Sequence, residues 1–484
     1  MSMALAELFQ SISHIRGGLL MSAPVLALAD DSRKVVPGSL FFAVPGSQKD
    51  GAQFALRALE KGALAVVAHT EPEVGFEDRW IQVPDVRKAR LEIANKFYSN
   101  PFATLMVHGV TGTSGKTTTA FLMEAVLVAM GEKVALLGTV CSRIGTRVVS
   151  SELTTPGVLE LHAFAAEAVA SGCKHLVMEV SSHALDQARV GGMLFDSCLF
   201  SNLSRDHLDY HRDMEEYFQA KSKLFTQYRR GVSVVNVDDS YGERLAVELL
   251  ALGVSVTRVS RLGKPADLAP KSILIGEDGL ELWIPALSDS ALKANLFGDF
   301  NADNVLLLCG WVFALRYPVK ALREALLTVQ VPGRFELAYS DGVRRVIVDY
   351  AHKPDALERV LASARAICRR KLVVVFGCGG DRDRGKRPMM GRIAETHADM
   401  CFVTSDNPRT EDPDQIIKEI LAGMQKNNHA VVVDRRLAIQ VACRALEAGD
   451  WLIVAGKGHE DYQIIGTTKY PFDDRGVVRE AFGC

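Results

Sequence analysis

Residues Val107-His-Gly-Val-Thr-Gly-Thr-Ser-Gly-Lys-Thr-Thr-Thr-Ala120 carry an apolar run into a glycine-rich turn and out through Lys116 into an amphipathic segment. A strand that delivers such a turn to the start of a helix forms a phosphate cradle. Gly109, Gly112 and Gly115 let backbone N–H groups approach phosphate oxygens, Lys116 neutralises the terminal phosphates, and the Thr117 hydroxyl can meet Mg2+. The ligand expected is ATP or GTP. The strict pattern has a glycine five positions before Gly115, where this chain has Val110, so the loop is a variant. A Gly/Thr-rich turn ahead of a helix can also be a plain tight connection, but Gly-Lys-Thr-Thr at a strand-to-helix junction argues for the cradle.

At 484 residues the chain exceeds a single core and divides, on ordinary domain sizes, into about three. A net charge of -2 with interleaved acidic and basic residues argues against a nucleic-acid partner and confines positive potential to places where phosphates sit. Nine cysteines, at positions 141, 173, 198, 309, 368, 378, 401, 443 and 484, show no paired spacing, and no secretory leader precedes them. They read as the reduced thiols of a cytosolic enzyme. Leu5, Leu8, Phe9 and Ile12 stand at helical spacing in the first residues, which predicts a surface helix over Met1 to Ile15. No apolar run reaches the ~18 residues a membrane span needs. A soluble, cytoplasmic protein without a membrane span is expected, and a monomer.

The pattern of apolar runs predicts three α/β domains, over residues 1–100, 101–330 and 331–484. In the first, strands are expected at Leu40–Val44, Ala63–Ala68 and Trp80–Val83, with helices at Gln53–Lys61 and Val86–Tyr98 before the break Ser99-Asn-Pro101. The second holds strands at Val134–Leu137, His175–Val180, Cys198–Asn202 and Val232–Asn236 with helix-length segments between them, the signature of a parallel sheet. The third starts beyond Val331-Pro-Gly333 with strands at Val346–Val348, Leu372–Phe376, Cys401–Thr404, Ala430–Val433 and Trp451–Ala455, a Rossmann-like alternation.

Polar constellations follow several of these strands. Glu179-Val-Ser-Ser-His183 puts a carboxylate at the carboxyl end of a strand in the loop's sheet, the edge where open α/β sheets bind ligands. Glu179 is a candidate Mg2+ ligand; the alternative is a buried strand-end carboxylate paired to a lysine. Asn202-Leu-Ser-Arg-Asp-His-Leu-Asp-Tyr-His211 packs Asp206, His207, Asp209 and His211 together, either as a second metal position or proton relay or as a solvated polar loop. Tyr217-Phe-Gln-Ala-Lys-Ser-Lys-Leu-Phe225 reads only as a helix with two lysines. In the third domain, Arg382, Arg384, Lys386 and Arg387 leave the strand Leu372–Phe376 through a glycine-rich loop and predict a positive field for carboxylate or phosphate. Ser405-Asp-Asn-Pro-Arg409 and Gly456-Lys-Gly-His-Glu460 close two further strands, and together the three loops suggest a second substrate in an interdomain cleft.

These motifs, in this order, resemble the Mur ligases of peptidoglycan synthesis, in the branch that extends UDP-N-acetylmuramoyl-L-alanyl-D-glutamate. Asp31-Ser-Arg33, Gly46-Ser-Gln-Lys-Asp-Gly51, Gly112-Thr-Ser-Gly-Lys-Thr117, Thr154-Thr-Pro156, Met178-Glu-Val-Ser-Ser-His183, Leu296–Asn304, Asp349-Tyr-Ala-His352, Asp406-Asn-Pro-Arg409 and Gly456–Glu460 carry the resemblance, and the spacing of the phosphate loop is that family's own. It implies a small N-terminal UDP-binding domain, a central ATPase-like parallel-sheet domain and a C-terminal Rossmann-like domain, with ATP and Mg2+ as cofactors. It also implies roles. Gly112, Thr113, Ser114, Gly115, Lys116, Thr117 and Thr118 hold the ATP phosphates, Asn301 and Asn304 resemble the adenine-contacting part, and Asp349 and His352 lie where the chain closes over the nucleotide. Ser32, Ser47, Gln48 and Lys49 hold the UDP moiety, while Thr154, Thr155, Ser181, Gln187 and Arg189 hold the muramoyl-dipeptide. Thr117, Glu179 and His207 lie near Mg2+, joined by Lys221, the lysine that this family carbamylates and thereby turns from a cation into an oxygen anion. Lys116, Glu179, His207 and Lys221 form the implied catalytic set. Leu153 stands where relatives often have asparagine, and Ser47-Gln-Lys49 replaces the commoner His-Gln-Ala.

The resemblance extends to the amino acid added. Asp406-Asn407-Pro408-Arg409 is similar to the signature of ligases adding meso-diaminopimelate, whose far carboxylate an arginine fork can bind bidentately; lysine-adding relatives usually lack that arginine. Arg382, Gly456 and Glu460 complete the implied pocket, Glu460 accepting the far ammonium. The expected substrates are thus small molecules, UDP-N-acetylmuramoyl-L-Ala-D-Glu and meso-diaminopimelate, joined through an acyl phosphate, with the third domain rotating to close the site. A lysine-adding sister, a folylpolyglutamate synthase-like ligase and a nucleotide-gated binding module are the rival readings.

Overall fold

The computed structural model describes residues 2–13, 21–46, 50–149 and 153–483. The chain gathers into two compact units, one of Met1–Lys116, Met130–Val235 and Asp239–Val256, the other of Thr117–Ala129, Asn236–Asp238 and Thr257–Cys484.

The first unit begins with a parallel sheet of Ala27–Ala29, Ser39–Phe42, Ala65–Ala68 and Trp80–Gln82 in sequence order. Alternation splits its side chains between two cores. Leu40, Phe42, Val67 and Ile81 meet Ile93 and Phe97 of the helix Val86–Phe97, while Phe41, Val66 and Trp80 meet Ala58 and Leu59 of the helix Ala55–Glu60. Asp85 caps the longer helix by accepting from Lys88 N. The helix expected over Gln53–Lys61 opens as a tighter 3-10 turn, Gly51–Phe54, and the one expected over the first residues is only Leu5–Phe9, because Met3–Ala4 pairs with Pro24–Val25 instead.

The second sheet of this unit runs in the order Arg147–Val149, Ser142–Ile144, Val134–Leu137, His175–Glu179, Met106–Thr111, Phe195–Phe200, Arg229–Asn236. The strands from Val134–Leu137 onward are parallel, and the first two add an antiparallel edge that the sequence reading lacks. After Met106–Thr111 the chain builds four strands on one side, two of them parallel to it, and then crosses to the other. That reversal opens a crevice at the carboxyl end of Met106–Thr111, where open sheets of this kind bind ligands.

The second unit carries a three-stranded antiparallel sheet, Ser272–Gly276, Gly279–Trp283 and Leu292–Ala294, and the largely buried helix Asp299–Leu315. Its six-stranded sheet has the order Glu336–Ser340, Arg345–Asp349, Trp451–Ala455, Leu372–Phe376, Met400–Val403, His429–Val431, antiparallel at the first pairing and parallel after it. Strand residues again alternate between two cores. Ile347, Val374 and Ile453 face the helices Pro354–Ile367 and Lys386–His397; Val346, Val375 and Val454 face Arg435–Arg444 and Asp474–Phe482. Asp349, Phe376 and Ala455 end parallel strands on one edge, which collects the polar loops there. A hairpin, Tyr462–Ile465 with Thr468–Pro471, follows the last of them.

Candidate functional site

Val110, the departure from the strict loop pattern, lies inside the strand, buried, with Glu179 and Leu199 as its register partners. A branched apolar residue suits that place, and the turn begins only at Gly112. There φ is 147°, and a Cβ would lie 2.0 Å from Ser201 Oγ, so glycine is required. The loop is fastened to the end of the neighbouring strand: Thr113 N donates to Asn202 O (2.8 Å), Ser114 N to Asn202 Oδ1 (3.0 Å), and Ser201 Oγ to Ser114 O (2.6 Å). Lys116 Nζ donates to Gly112 O and Thr113 O, both at 2.9 Å, which holds the ammonium over the turn. The helix Lys116–Ala129 starts at this point, with Thr117 and Thr118 buried in its first turn.

Glu179 ends the strand beside the loop and is buried. Its partner is not the lysine that the structural alternative required: Thr139 donates to it twice, N to Oε1 at 2.7 Å and Oγ1 to Oε2 at 3.1 Å. Gly138 makes room, since a Cβ there would stand 2.6 Å from Glu179 Oε1. The residues expected at the dipeptide form one chain of contacts around this carboxylate. Thr154 Oγ1 lies 2.9 Å from Thr139 Oγ1, and Thr155 Oγ1 donates to Glu179 O (2.8 Å) while accepting from Ser181 N (3.1 Å). Arg189 donates to Thr155 O (3.0 Å) and to Gln187 Oε1 (2.7 Å).

Lys221 is buried on the apolar face of the helix Met214–Thr226, with Tyr217, Phe218, Leu224 and Phe225. Its Nζ donates to Gly112 O at 2.8 Å, reaches Thr111 Oγ1 at 3.5 Å and lies 4.7 Å from the Tyr217 ring centre. Burial, reinforced by the nearby Lys116 charge, lowers its pKa well below the ordinary lysine value. The sequence held a signal for this residue: helical spacing puts position 221 on the same face as four large apolar side chains, where an unpaired lysine is out of place.

His207 sits half-exposed with φ of 53°, its ring 5.0 Å from His183 and 6.0 Å from Tyr217. His211 is buried and bonded to Ser182 Oγ at 3.0 Å. His211 is therefore packed among rings, whereas Asp209 and Tyr210 stay exposed. Among the described residues, no three His, Cys, Asp or Glu side chains converge as a ready-made metal cage. Burial lowers the pKa of both His183 and His211.

In the N-terminal sheet, Ser32 is buried beside the pair Arg90–Asp30 (2.6 Å) and Lys34 reaches Glu160 (2.8 Å). A separate cleft of about 380 Å³ is lined by Pro45, His69, Pro84, Asp85, Val86 and Arg87. Ser47, Gln48 and Lys49, expected at UDP, lie outside the described residues.

The second unit holds the remaining candidates. Asn301 and Asn304, in the first turns of their helix, are buried and bonded within it, Asn304 Nδ2 to Asn301 Oδ1 (3.0 Å) and Asn301 Nδ2 to Phe297 O (2.8 Å). Asp349 accepts from Phe335 N (2.7 Å) and Ala351 N (2.8 Å), yet burial pushes its pKa up to about 6 against these bonds and the Arg334 charge. His352 Nδ1 lies 2.8 Å from Tyr350 O, and Lys386 donates to His352 O (2.8 Å). Arg409, at φ 53°, donates to Gly380 O (2.8 Å). Asn407 Nδ2 donates to Glu460 Oε2 (3.0 Å), and Gly456 is needed because a Cβ would stand 2.6 Å from Asp406 Oδ2. Arg382 and Arg409 flank Gly379, whose Cβ would meet Arg409 Nη1 at 2.9 Å and Arg382 Cγ at 3.8 Å. The expected positive field is smaller than the sequence suggests. Arg387 is spent on Glu411 and Glu419, and Arg384 pairs with Glu419; these bonds hold both carboxylates down to about 2. The sequence reading gave no role to Thr139, Asn202 or Lys457, each of which has a partner distant in the chain, Glu179, Ser114 and Asn407 respectively.

The chain matches three family descriptions: "Mur ligase family, catalytic domain" over residues 27–98, "Mur ligase middle domain" over 110–312, and "Mur ligase, glutamate ligase domain" over 333–458. It is 45% identical over 464 residues to the UDP-N-acetylmuramoyl-L-alanyl-D-glutamate–2,6-diaminopimelate ligase of Gloeobacter violaceus, covering 94% of each chain. The ligase of that name from Aquifex aeolicus is 43% identical over 455 residues, 94% of this chain and 92% of its own. A solved structure of a ligase of that name aligns at TM-score 0.72 and 32% identity, covering 100% and 99% of the two chains. Folylpolyglutamate synthase of Mycobacterium tuberculosis, complexed with ADP and AMPPCP, shares the fold at TM-score 0.62 and 19% identity, over 81% and 95%. With a phosphate loop at the crevice of the central sheet and relatives matched along nearly its whole length, the chain belongs to the Mur ligase family.

Proposed function

We propose that this chain is an ATP-dependent amide-bond ligase that adds meso-diaminopimelate to the D-glutamyl γ-carboxylate of UDP-N-acetylmuramoyl-L-alanyl-D-glutamate. The observation that carries the choice of amino acid is Arg409. Its backbone takes a left-handed turn and Gly380 O anchors its guanidinium, in a loop that also presents Asn407, which bonds Glu460 of the adjoining loop. A cation and a carboxylate on one loop cluster suit a ligand whose far end bears both a carboxylate and an ammonium, as diaminopimelate does and lysine does not.

The loop amides and Lys116 stabilise the charge on ATP while an oxygen of the D-glutamyl carboxylate attacks the γ-phosphorus and the bond to ADP breaks. The diaminopimelate amine then attacks the resulting acyl phosphate carbon, loses a proton, and phosphate departs with the C–O bond. Thr154, Thr155, Ser181, Gln187 and Arg189 orient the dipeptide beside Glu179, and Ser32 with Ser47, Gln48 and Lys49 holds the UDP end. Asn301, Asn304, Asp349 and His352 serve the nucleotide.

Mg2+, when bound, supplies further positive charge to the phosphoryl oxygens. Thr117, Glu179 and His207 are its proposed holders, and the fit turns on Lys221. As an ammonium, Lys221 would repel a dication; as a carbamate, formed when its neutral amine adds CO2 and releases a proton, it offers oxygen. The lowered pKa of Lys221 favours the neutral amine that this addition needs.

Phosphate release measured with UDP-N-acetylmuramoyl-L-Ala-D-Glu tests the reading. Release with meso-diaminopimelate well above that with L-lysine is expected, falling about ten- to a hundredfold in Arg409→Ala, the size of a lost charged hydrogen-bond partner. Equal or faster release with lysine would move the chain to the lysine-adding branch.

A further inference from the structure

We propose that Lys457 is a positioning residue that sets amino-acid selectivity, by fixing the Asn407 amide and occupying one oxygen of Glu460 so that the pocket fits a zwitterionic far end. The inference rests on the diaminopimelate-adding reading and deepens it. Lys457 follows the last parallel strand and is fully buried, rare for a lysine that merely caps a turn. Its Nζ donates to Asn407 Oδ1 at 3.0 Å and to Glu460 Oε2 at 3.1 Å, and lies 5.6 Å from the Tyr462 ring centre.

Two donors decide the amide. Ile464 N also donates to Asn407 Oδ1 (2.9 Å), so that oxygen is an acceptor twice over and Nδ2 must turn to Glu460 Oε2 (3.0 Å). Asn407, Lys457 and Glu460 thus close a triangle of directional bonds. The hairpin locks it in place, Arg409 N donating to Ile464 O (3.1 Å) and Gln463 Nε2 to Asp406 O (2.6 Å).

The charge balance gives this triangle its consequence. Asp406, 3.9 Å from the Arg435 guanidinium, and Glu460 are two carboxylates on adjoining loops; without Lys457, Glu460 would favour any ligand with a far ammonium, lysine included. Lys457 offsets one of them, which lowers the reward for an ammonium alone and leaves Arg409 to demand a carboxylate beside it. Selectivity of this kind arises as much from what is disfavoured as from what is bound.

The test is steady-state kinetics of Lys457→Met and Lys457→Gln, each substrate varied in turn. The KM for meso-diaminopimelate should rise about tenfold or more, with KM for ATP and for the UDP substrate within about twofold of wild type, a split that general destabilisation does not produce. The preference for diaminopimelate over L-lysine should fall in both variants, less in Lys457→Gln, which retains a donor for Asn407. An unchanged KM and preference, or equal changes for all three substrates, would overturn the assignment. Lys457→Gln keeps the test open if the Met variant fails to fold. Wild type itself separates the two ideas: if it does not use diaminopimelate, the functional reading fails; if it does and the variants match it, only the role of Lys457 fails.

Discussion

The loop region of the first unit and the sheet edge of the second hold their charged groups in opposite ways. Near the loop, neutral dipoles do the holding: Thr139 for Glu179, and the Gly112 carbonyl for Lys116 and Lys221. In the second unit, charge holds charge: Arg435 with Asp474, Arg387 with Glu411 and Glu419, Lys457 with Glu460. Groups tied by neutral bonds keep their charge available to phosphates whose own charge shifts during reaction. Groups locked in ion pairs make a fixed frame, suited to the far end of the proposed amino acid, whose charges do not change.

The strongest way to break this contrast is to remove one partner of the most buried pair. Arg435 and Asp474 are both fully buried, joined at 2.9 and 2.7 Å. Asp474→Ala should cost about 3 kcal/mol, because the buried guanidinium loses its bidentate partner and keeps only the Ala455 carbonyl and Asp406 at 3.9 Å. Hydrogen exchange should report it as lost protection in Leu372–Phe376 and Trp451–Ala455, with Met106–Thr111 unaffected. Unchanged protection in the second unit would mean that its frame does not depend on ion pairs.

Next in size is the neutral side of the comparison. Lys221→Met should lower phosphate release about 10²- to 10³-fold, the scale of losing one charge-stabilising group, with little change in melting temperature. A carbamate carbon signal from labelled bicarbonate should be present in wild type and absent in the variant. Full activity in Lys221→Met would reduce Lys221 to a packing residue.

The two regions also differ in how far the sequence reveals them. The phosphate loop is local, so its role and its strand-to-helix setting follow from a dozen consecutive residues. Even Lys221 is visible as a polar intruder on an apolar helical face. Most of the ion-pair frame is not local: Arg435 meets Asp474 across 39 positions and Arg387 meets Glu419 across 32. Periodicity carries no trace of such pairings, which is why Arg384 and Arg387 read as an open positive field. Strand interiors such as Val134–Leu137, Leu372–Phe376 and Trp451–Ala455 come out with the ends expected from the sequence, since burial on both faces demands continuous apolar runs. The short hairpins Ser142–Val149 and Tyr462–Pro471 do not, because their strands are too brief and too polar to show a period.

Acid should separate the regions too. His108 is buried between Ser197 and His175, and burial, with the His175 and Asp196 charges acting in opposite directions, brings its pKa down to about 3. A depressed histidine stabilises the fold above the unfolded value near 6.5 and loses that contribution as pH falls toward 3. At pH 5 the loss is about 2 kcal/mol. Pulse proteolysis in urea, following cleavage within His175–Glu179, should show this loss between pH 7 and pH 5 in wild type and a flatter response in His108→Gln. Equal slopes would place the acid sensitivity elsewhere.

The smallest effect expected comes from a single neutral bond. Thr139 gives Glu179 two hydrogen bonds, and Thr139→Val deletes only the hydroxyl at 3.1 Å while leaving the backbone N–H at 2.7 Å. Thr139 is solvent-exposed, so water can replace the lost donor and the cost should stay near 1 kcal/mol, or about fivefold in phosphate release. Thr139→Ser should behave as wild type. A loss as large as that of Lys221→Met would mean that the hydroxyl orients Glu179 or its neighbour Thr154 outright, and the loop region would then depend on one dipole as strictly as the second unit depends on its ion pairs.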